Sequence, residues 1–332
     1  MLDIRFATIA DVGEIMEFIN NNWKVNHILS ANKELFLYEY RDGSRINFVI
    51  SNDDSGKING ILGFIKASSI NSDIWAAMWK VGENSKKPML GIELMEYLRN
   101  SEDYNTLLCS KINEKTIGIY KYLGMYTDKL KQFVLINNKM KKFRIAKILD
   151  NKYFDSVQFL INHEYSLKQL SKEKIAFNFE DFKENIPYKD EKYFIKRYFN
   201  HPIYIYDVYG IFKNNKIRSL LVTRNVFANG SKALRIVDYI GEELGFKFII
   251  QDLYKVIINE NLEYIDFMCF GFDDMLLNAG FRPVNLDSSD LIIPNHFSPF
   301  VSKNIKMNFF VDTEQLDKVK ICKADGDQDR PN

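Results

Sequence analysis

Residues 113–126, NEKTIGIYKYLGMY, decide how this chain is read. Asn113 stands where a helix N-cap belongs, an amphipathic run follows, and Gly124 supplies the left-handed stop before an aromatic, strand-like continuation. Tyr120 lies seven residues after Asn113. Two helical turns bring both onto one face, from which they can point together into a cleft. The preceding apolar stretch NTLLCSKI (105–112) reads as a strand, so Asn113 marks a strand-to-helix passage.

Outward from this unit, helix and strand signals alternate. IRFAT (4–8) is a short strand, and Asp11 caps a helix with Val12, Ile15, Met16 and Ile19 on its apolar face. INFVIS (46–51) and INGILGFIKAS (58–68) flank the turn NDDSGK, and DIWAAMWKVG (73–82) gives a third strand. Trp75 and Trp79, four apart, are expected on one face of it. The loop ENSKKP leads into the helix MLGIELMEYLRN (89–100), and KQFVLIN (131–137) closes the unit.

The lysine-rich stretch 138–152 reads as a solvated bridge. Behind it the same order returns: two strands about an Asn-Asn turn (203–227), a third strand (232–241), a helix (246–261), a buried strand (264–271) and a short helix ending at a glycine (272–284). This is a degenerate tandem duplication at domain scale. The expected fold is α/β with mixed sheets, in two modules spanning 1–140 and 141–332.

The 332 residues suit two domains of about 150 residues each. With 45 basic against 44 acidic residues, charge offers no argument for nucleic acid or an acidic membrane surface as the main partner. The absence of a long apolar run is read as a cytoplasmic protein, and monomer and homodimer both remain open. Cys109, Cys269 and Cys322 are far apart and odd in number, which favours neither a disulfide framework nor a metal site.

The pattern Asn113, Thr116, Tyr120, Gly124, Met125 resembles a motif of the GCN5-related N-acetyltransferase (GNAT) superfamily. That resemblance implies an acyl-CoA co-substrate, with Asn113 at the pantetheine and Tyr120 as general acid for the departing thiolate. It also implies a Gln/Arg-x-x-Gly-x-Gly/Ala loop whose backbone N–H groups cradle the CoA pyrophosphate at a helix N-terminus. KKPMLG (86–91) occupies that place, with Lys86 at the basic position, Lys87 beside it and Gly91 last. Met89 replaces the middle glycine. The strand before it would bind pantetheine through Trp79, Lys80 and Val81.

Upstream, Trp23, Asn26, His27, Ile28 and Leu29 resemble a segment of bacterial sugar-nucleotide N-acyltransferases of O-antigen and capsule synthesis. This implies transfer of an acetyl or 3-hydroxybutanoyl group to the amine of a nucleotide-linked, dTDP-type amino-deoxy sugar, with Asn26 and His27 at the acceptor. An imidazole near its ordinary pKa of about 6.5 suits a general base. The second module has acidic residues, EELGFKF (242–248), where phosphates would sit, so it is expected to supply acceptor surface, with His201 among aromatics suited to a nucleobase. The tail KICKADGDQDRPN (320–332) reads either as a disordered acidic extension or as a segment folded between the modules. In the second case Asp325, Asp327, Asp329 and Arg330 would meet the sugar hydroxyls and diphosphate. Two rivals stay open: an aminoacyl or peptide acyltransferase of the peptidoglycan-bridge type, and a non-catalytic binding module.

Overall fold

The computed structural model describes residues 3–70, 72–83, 85, 87–154 and 158–329. Two mixed sheets dominate it. The first half contributes β1 (Asp3–Thr8), helices α1 (Val12–Asn22), α2 (Ile28–Ala31) and α3 (Lys33–Tyr40), β2 (Arg45–Asn52), β3 (Ile58–Lys66), β4 (Ile74–Val81), α4 (Leu90–Ser101), β5 (Leu107–Ile112), α5 (Ile117–Tyr122), β6 (Tyr126–Lys129) and β7 (Lys131–Ile136). The second half contributes β8 (Tyr165–Gln169), β9 (Asp207–Lys213), β10 (Lys216–Ala228), β11 (Ser231–Gly241), α6 (Ile250–Asn259), β12 (Tyr264–Phe270), α7 (Asp273–Asn278), β13 (Arg282–Val284), β14 (Asn308–Val311) and β15 (Ile321–Cys322). The repeated order expected from sequence is present. Asn214 and Asn215, both at positive φ, form the tight turn between β9 and β10.

The sheets exchange strands. The first runs β1-β2-β3-β4-β5-β14-β6 and the second β8-β9-β10-β11-β12-β7-β13. Thus β7, expected to close the first module, pairs instead with β12 and β13 of the second. Its residues after Lys131 are buried on both faces, so it needs a central position covered on both sides. In return β14 lies between β5 and β6, with Phe309 and Phe310 fully buried on opposite faces of the first sheet. The bridge between the halves is anchored rather than solvated along its length. Ile145 and Ala146 are buried, and the Glu263 carboxylate accepts the N–H groups of Arg144, Ile145 and Ala146 at 2.6, 3.0 and 2.9 Å.

Each sheet carries one short parallel pairing between its fourth strand and the strand after its crossover helix. In the first, β4 and β5 pair only through Ile74–Leu107 and Trp75–Leu108 and then part. In the second, β11 and β12 pair over Leu234–Ile236 and Ile265–Phe267. That second split is filled by the chain itself. β15 pairs with β12 through Cys322–Cys269 and Ile321–Phe270, and the Ala324 N–H donates to the Val237 carbonyl at 2.9 Å. The first split stays open.

The tail is therefore ordered and sits between the sheets. Lys189 bonds Asp238 and Asp325 at 2.6 Å each, with all three side chains buried. Gly326 turns at φ +64, and a Cβ there would lie 3.1 Å from the Trp75 ring of β4. The tail thus touches both halves.

Candidate active site

Beyond the point where β4 and β5 part, Ala76–Val81 and Cys109–Ile112 line a cleft of about 890 Å³. Both walls are bulged. Met78, at φ +50, inserts an extra residue on β4 opposite β3, and Lys111, at φ +60, does the same on β5 opposite β14. A left-handed conformation at a non-glycine costs of order 1 kcal/mol, and strain of this kind gathers at binding sites. The Met78 bulge corrects the expectation for the tryptophans. An extra residue swaps faces, so Trp75 packs in one core and Trp79 on the other, at the cleft.

Asn113 caps the helical turn after β5 by accepting the Lys115 N–H at 3.0 Å. Gly124 closes α5 at φ +84; its N–H meets the Lys121 carbonyl, and the Met125 N–H meets that of Tyr120 at 3.0 Å. Asn113, Thr116 and Tyr120 all line the cleft. The Tyr120 ring packs 4.6 Å from Phe310 and 5.8 Å from Trp79. Burial, with Cys109 beside it, pushes the phenol well above its ordinary pKa, against the opposing hydrogen bond with Thr116. Tyr120 is therefore protonated throughout the neutral range. The Cys109 thiol is likewise raised by burial and by Asp327, so it is no thiolate nucleophile.

Across the split, α4 begins at the cleft with Met89 and Gly91 on its lining. Met89 holds φ +66, the left-handed backbone that glycine would adopt, so the loop keeps a glycine-like turn without the glycine. Its side chain is exposed. Trp79 Nε1 donates to the Gly91 carbonyl at 3.1 Å, fixing strand to helix. Lys80 and Val81 line the cleft. Lys87 forms an ion pair with Glu93 and does not line it; Lys86 lies outside the described residues.

His27 is buried, caps α2 and lines the cleft. Its Nδ1 accepts the Leu29 N–H at 3.2 Å, which places the proton of a neutral ring on Nε2. A general base needs a lone pair that this ring does not present to the cleft, so its geometry suits a donor instead. Asn26 is exposed at φ +57, held by Asn20, and lies away from the cleft.

The facing wall comes from the second half and the tail. His201 does not line the cleft: its Nδ1 accepts the N–H groups of Ile203 and Tyr204 at 3.2 and 2.9 Å, and its ring stacks behind Tyr204, which does. Asp325 is fully buried against Lys189 and is removed from the expected acceptor set. Asp327 and Asp329 do line the cleft. Burial alone would raise Asp329, but the Arg224 guanidinium, bonded to both oxygens, holds it down at about 2. Arg330 lies outside the described residues.

Tyr204 belongs to the aromatic stretch expected around His201, whereas sequence reasoning missed Arg224, Arg235 and Lys323, all on this lining. Arg235 is buried and bonds Asp266 at 2.8 Å. Lys323 lies in the stretch KICKADGDQDRPN, where the carboxylates drew the reading, and no local pattern distinguishes it. Among the described residues no group of His, Cys, Asp and Glu is arranged to hold a metal ion, and no helix is long and apolar enough to cross a membrane.

No protein-family model matches the sequence, and no curated protein is similar to it. Solved structures do resemble the fold. A GCN5-related N-acetyltransferase from Anabaena variabilis ATCC 29413 superposes at a TM-score of 0.56 and 10% identity, covering 94% of this chain and 72% of that one. A conserved protein from Enterococcus faecalis V583, described as a probable N-acyltransferase, gives 0.57 at 9% identity, covering 96% and 74%. At such identities the likeness is one of fold: two mixed sheets in tandem GNAT-like halves.

Proposed function

We propose that the chain is an acyl-CoA-dependent N-acyltransferase whose cleft joins a donor site in the first half to an acceptor site facing the second. The observation that carries this reading is the open split between β4 and β5. It offers unpaired strand backbone to an extended pantetheine, the N-terminal turn of α4 at one side and Tyr120 at the other. The fold likeness to acetyltransferases agrees with it.

In this reading the acceptor amine attacks the thioester carbonyl directly. Backbone N–H groups at the Met78 bulge polarise the carbonyl oxygen. The tetrahedral intermediate collapses, the C–S bond breaks, and the Tyr120 hydroxyl delivers its proton to the departing thiolate. Burial keeps that hydroxyl protonated, and so able to donate, until the thiolate forms. His27, with its Nδ1 already accepting the Leu29 N–H, acts as a donor and not as the base.

The acceptor we propose is an amino sugar linked to a nucleotide, of the dTDP type. The Trp23–Leu29 segment motivates it, with Trp23 and His27 on the cleft. The Tyr204 ring offers a stacking face, though the Arg224 guanidinium already lies 4.1 Å over it, and Asp327 offers an acceptor for hydroxyls. The test is incubation with acetyl-CoA or 3-hydroxybutanoyl-CoA and a panel of dTDP- and UDP-amino sugars, following thiol release and product mass. Release that requires one amino sugar, with the matching mass gain, supports the reading. Bound CoA without turnover on any sugar, but turnover on a peptide amine, would replace the acceptor.

A further inference from the structure

We propose that the Lys323 side chain is the proton acceptor for the attacking amine, a role that rests on the acyltransfer reading above. Lys323 follows β15, the strand that plugs the second sheet, and the plug carries it to the cleft. It is only 8% exposed, yet it lines the cavity. No hydrogen bond or ion pair to its amine is formed among the described residues.

A buried lysine without a carboxylate partner is costly, and its surroundings deepen the cost. The groups acting on it are Arg235 of β11, Arg224 of β10, Lys111 of β5 and the carboxylate of Asp329 in the tail; the His296 ring feels its charge in turn. Asp329, the carboxylate that acts on it, is already engaged by Arg224. Burial first, and Arg235 second, bring the amine down to about 7. A neutral amine of that basicity, inside the cleft, has the lone pair that His27 lacks.

The step balances without any further reagent. The acceptor amine forms the C–N bond and becomes an ammonium in the tetrahedral intermediate. Lys323 takes one proton from that ammonium, Tyr120 gives one to the sulfur as the C–S bond breaks, and solvent exchange restores both. The products are an amide and free CoA thiol.

The test compares wild type with Lys323→Met and Lys323→Arg. Methionine removes a buried charge at similar volume, so the variant folds, which thermal melting checks. Wild-type kcat/KM should rise with pH to an inflection near the value above and then level off. Lys323→Met should lose about 100-fold or more and lose that inflection, with CoA affinity by calorimetry unchanged. Lys323→Arg, always charged, should be equally slow. Rescue by arginine would make Lys323 an anion anchor and overturn the proposal, as would an unchanged pH limb in Lys323→Met. A readout independent of turnover is competitive trace labelling with acetic anhydride, read by peptide mass spectrometry: Lys323 should titrate far below the surface lysines. Titration with them overturns the proposal, and so does stoichiometric acetylation of Lys323 by acetyl-CoA alone. A wild type that binds CoA but acylates no amine defeats the acyltransfer reading itself, and this role with it.

Discussion

The Tyr120 ring rests 4.6 Å from that of Phe310, so the tyrosine of the first half is held by a strand that arrives 190 residues later in the chain. β14 brings Phe310 between β5 and β6, and the same strand places Phe309 on the opposite face. The donor side of the cleft is thus built from both halves, and its rigidity depends on the exchange.

Tyr120→Phe keeps those ring contacts and removes only the hydroxyl. We expect kcat to fall by about 10²–10⁴-fold with CoA affinity and melting temperature unchanged, as measured by thiol release, calorimetry and thermal melting. Because burial raises the phenol, wild-type kcat should show no downturn from Tyr120 at mildly alkaline pH. Retained activity in the variant would remove the acid role.

Met89 supplies a test of the turn before α4. At φ +66 a glycine is unstrained and a β-branched residue is worse than methionine. Met89→Gly should change stability by between zero and about +1 kcal/mol, since relief of strain is offset by added unfolded-chain freedom, whereas Met89→Val should cost more than about 1 kcal/mol. Denaturant unfolding of both variants checks the sign.

Lys323 gives a stability signature with a definite sign. Its folded-state pKa is depressed from 10.5 to about 7, so the cost of burying the charge is fully present below about 7 and disappears as pH rises towards 10.5. Lys323→Met should therefore be more stable than wild type at pH 6, by roughly 2–4 kcal/mol, with the gap closing at alkaline pH. Denaturant melts at several pH values measure it; a gap independent of pH would contradict the buried-cation account.

The tail is tested at Gly326. A side chain there meets the Trp75 ring and a positive φ together. Gly326→Val should displace Asp327 to Asp329, weakening acceptor binding by about tenfold or more while CoA binding persists. Separate titrations of the two ligands read this directly.

What was legible in the sequence was local. Asn113 as a cap and Gly124 as a stop depend on neighbours within one turn, and they are found as read. The order of strands and helices in both halves was legible for the same reason. Trp79 was misplaced because the Met78 bulge breaks the two-residue period without any glycine to announce it. β7 announces its burial but not its partner, and nothing within six residues says which sheet needs a central strand. The tail misled in part because its carboxylates find their cations far away: Asp325 at Lys189 and Asp329 at Arg224. Charges spaced as if for solvent were in fact spent inside.

One split is open and the other is plugged by the chain's own β15. Titration of CoA into the protein by calorimetry tests it most directly. One CoA per chain is expected, lost in Gly91→Leu, where a large side chain is added on the cleft lining beside Trp79 and Val81, and kept in Cys322→Ala at the plugged split. Two CoA molecules per chain, or binding that survives Gly91→Leu and fails in Cys322→Ala, would contradict it.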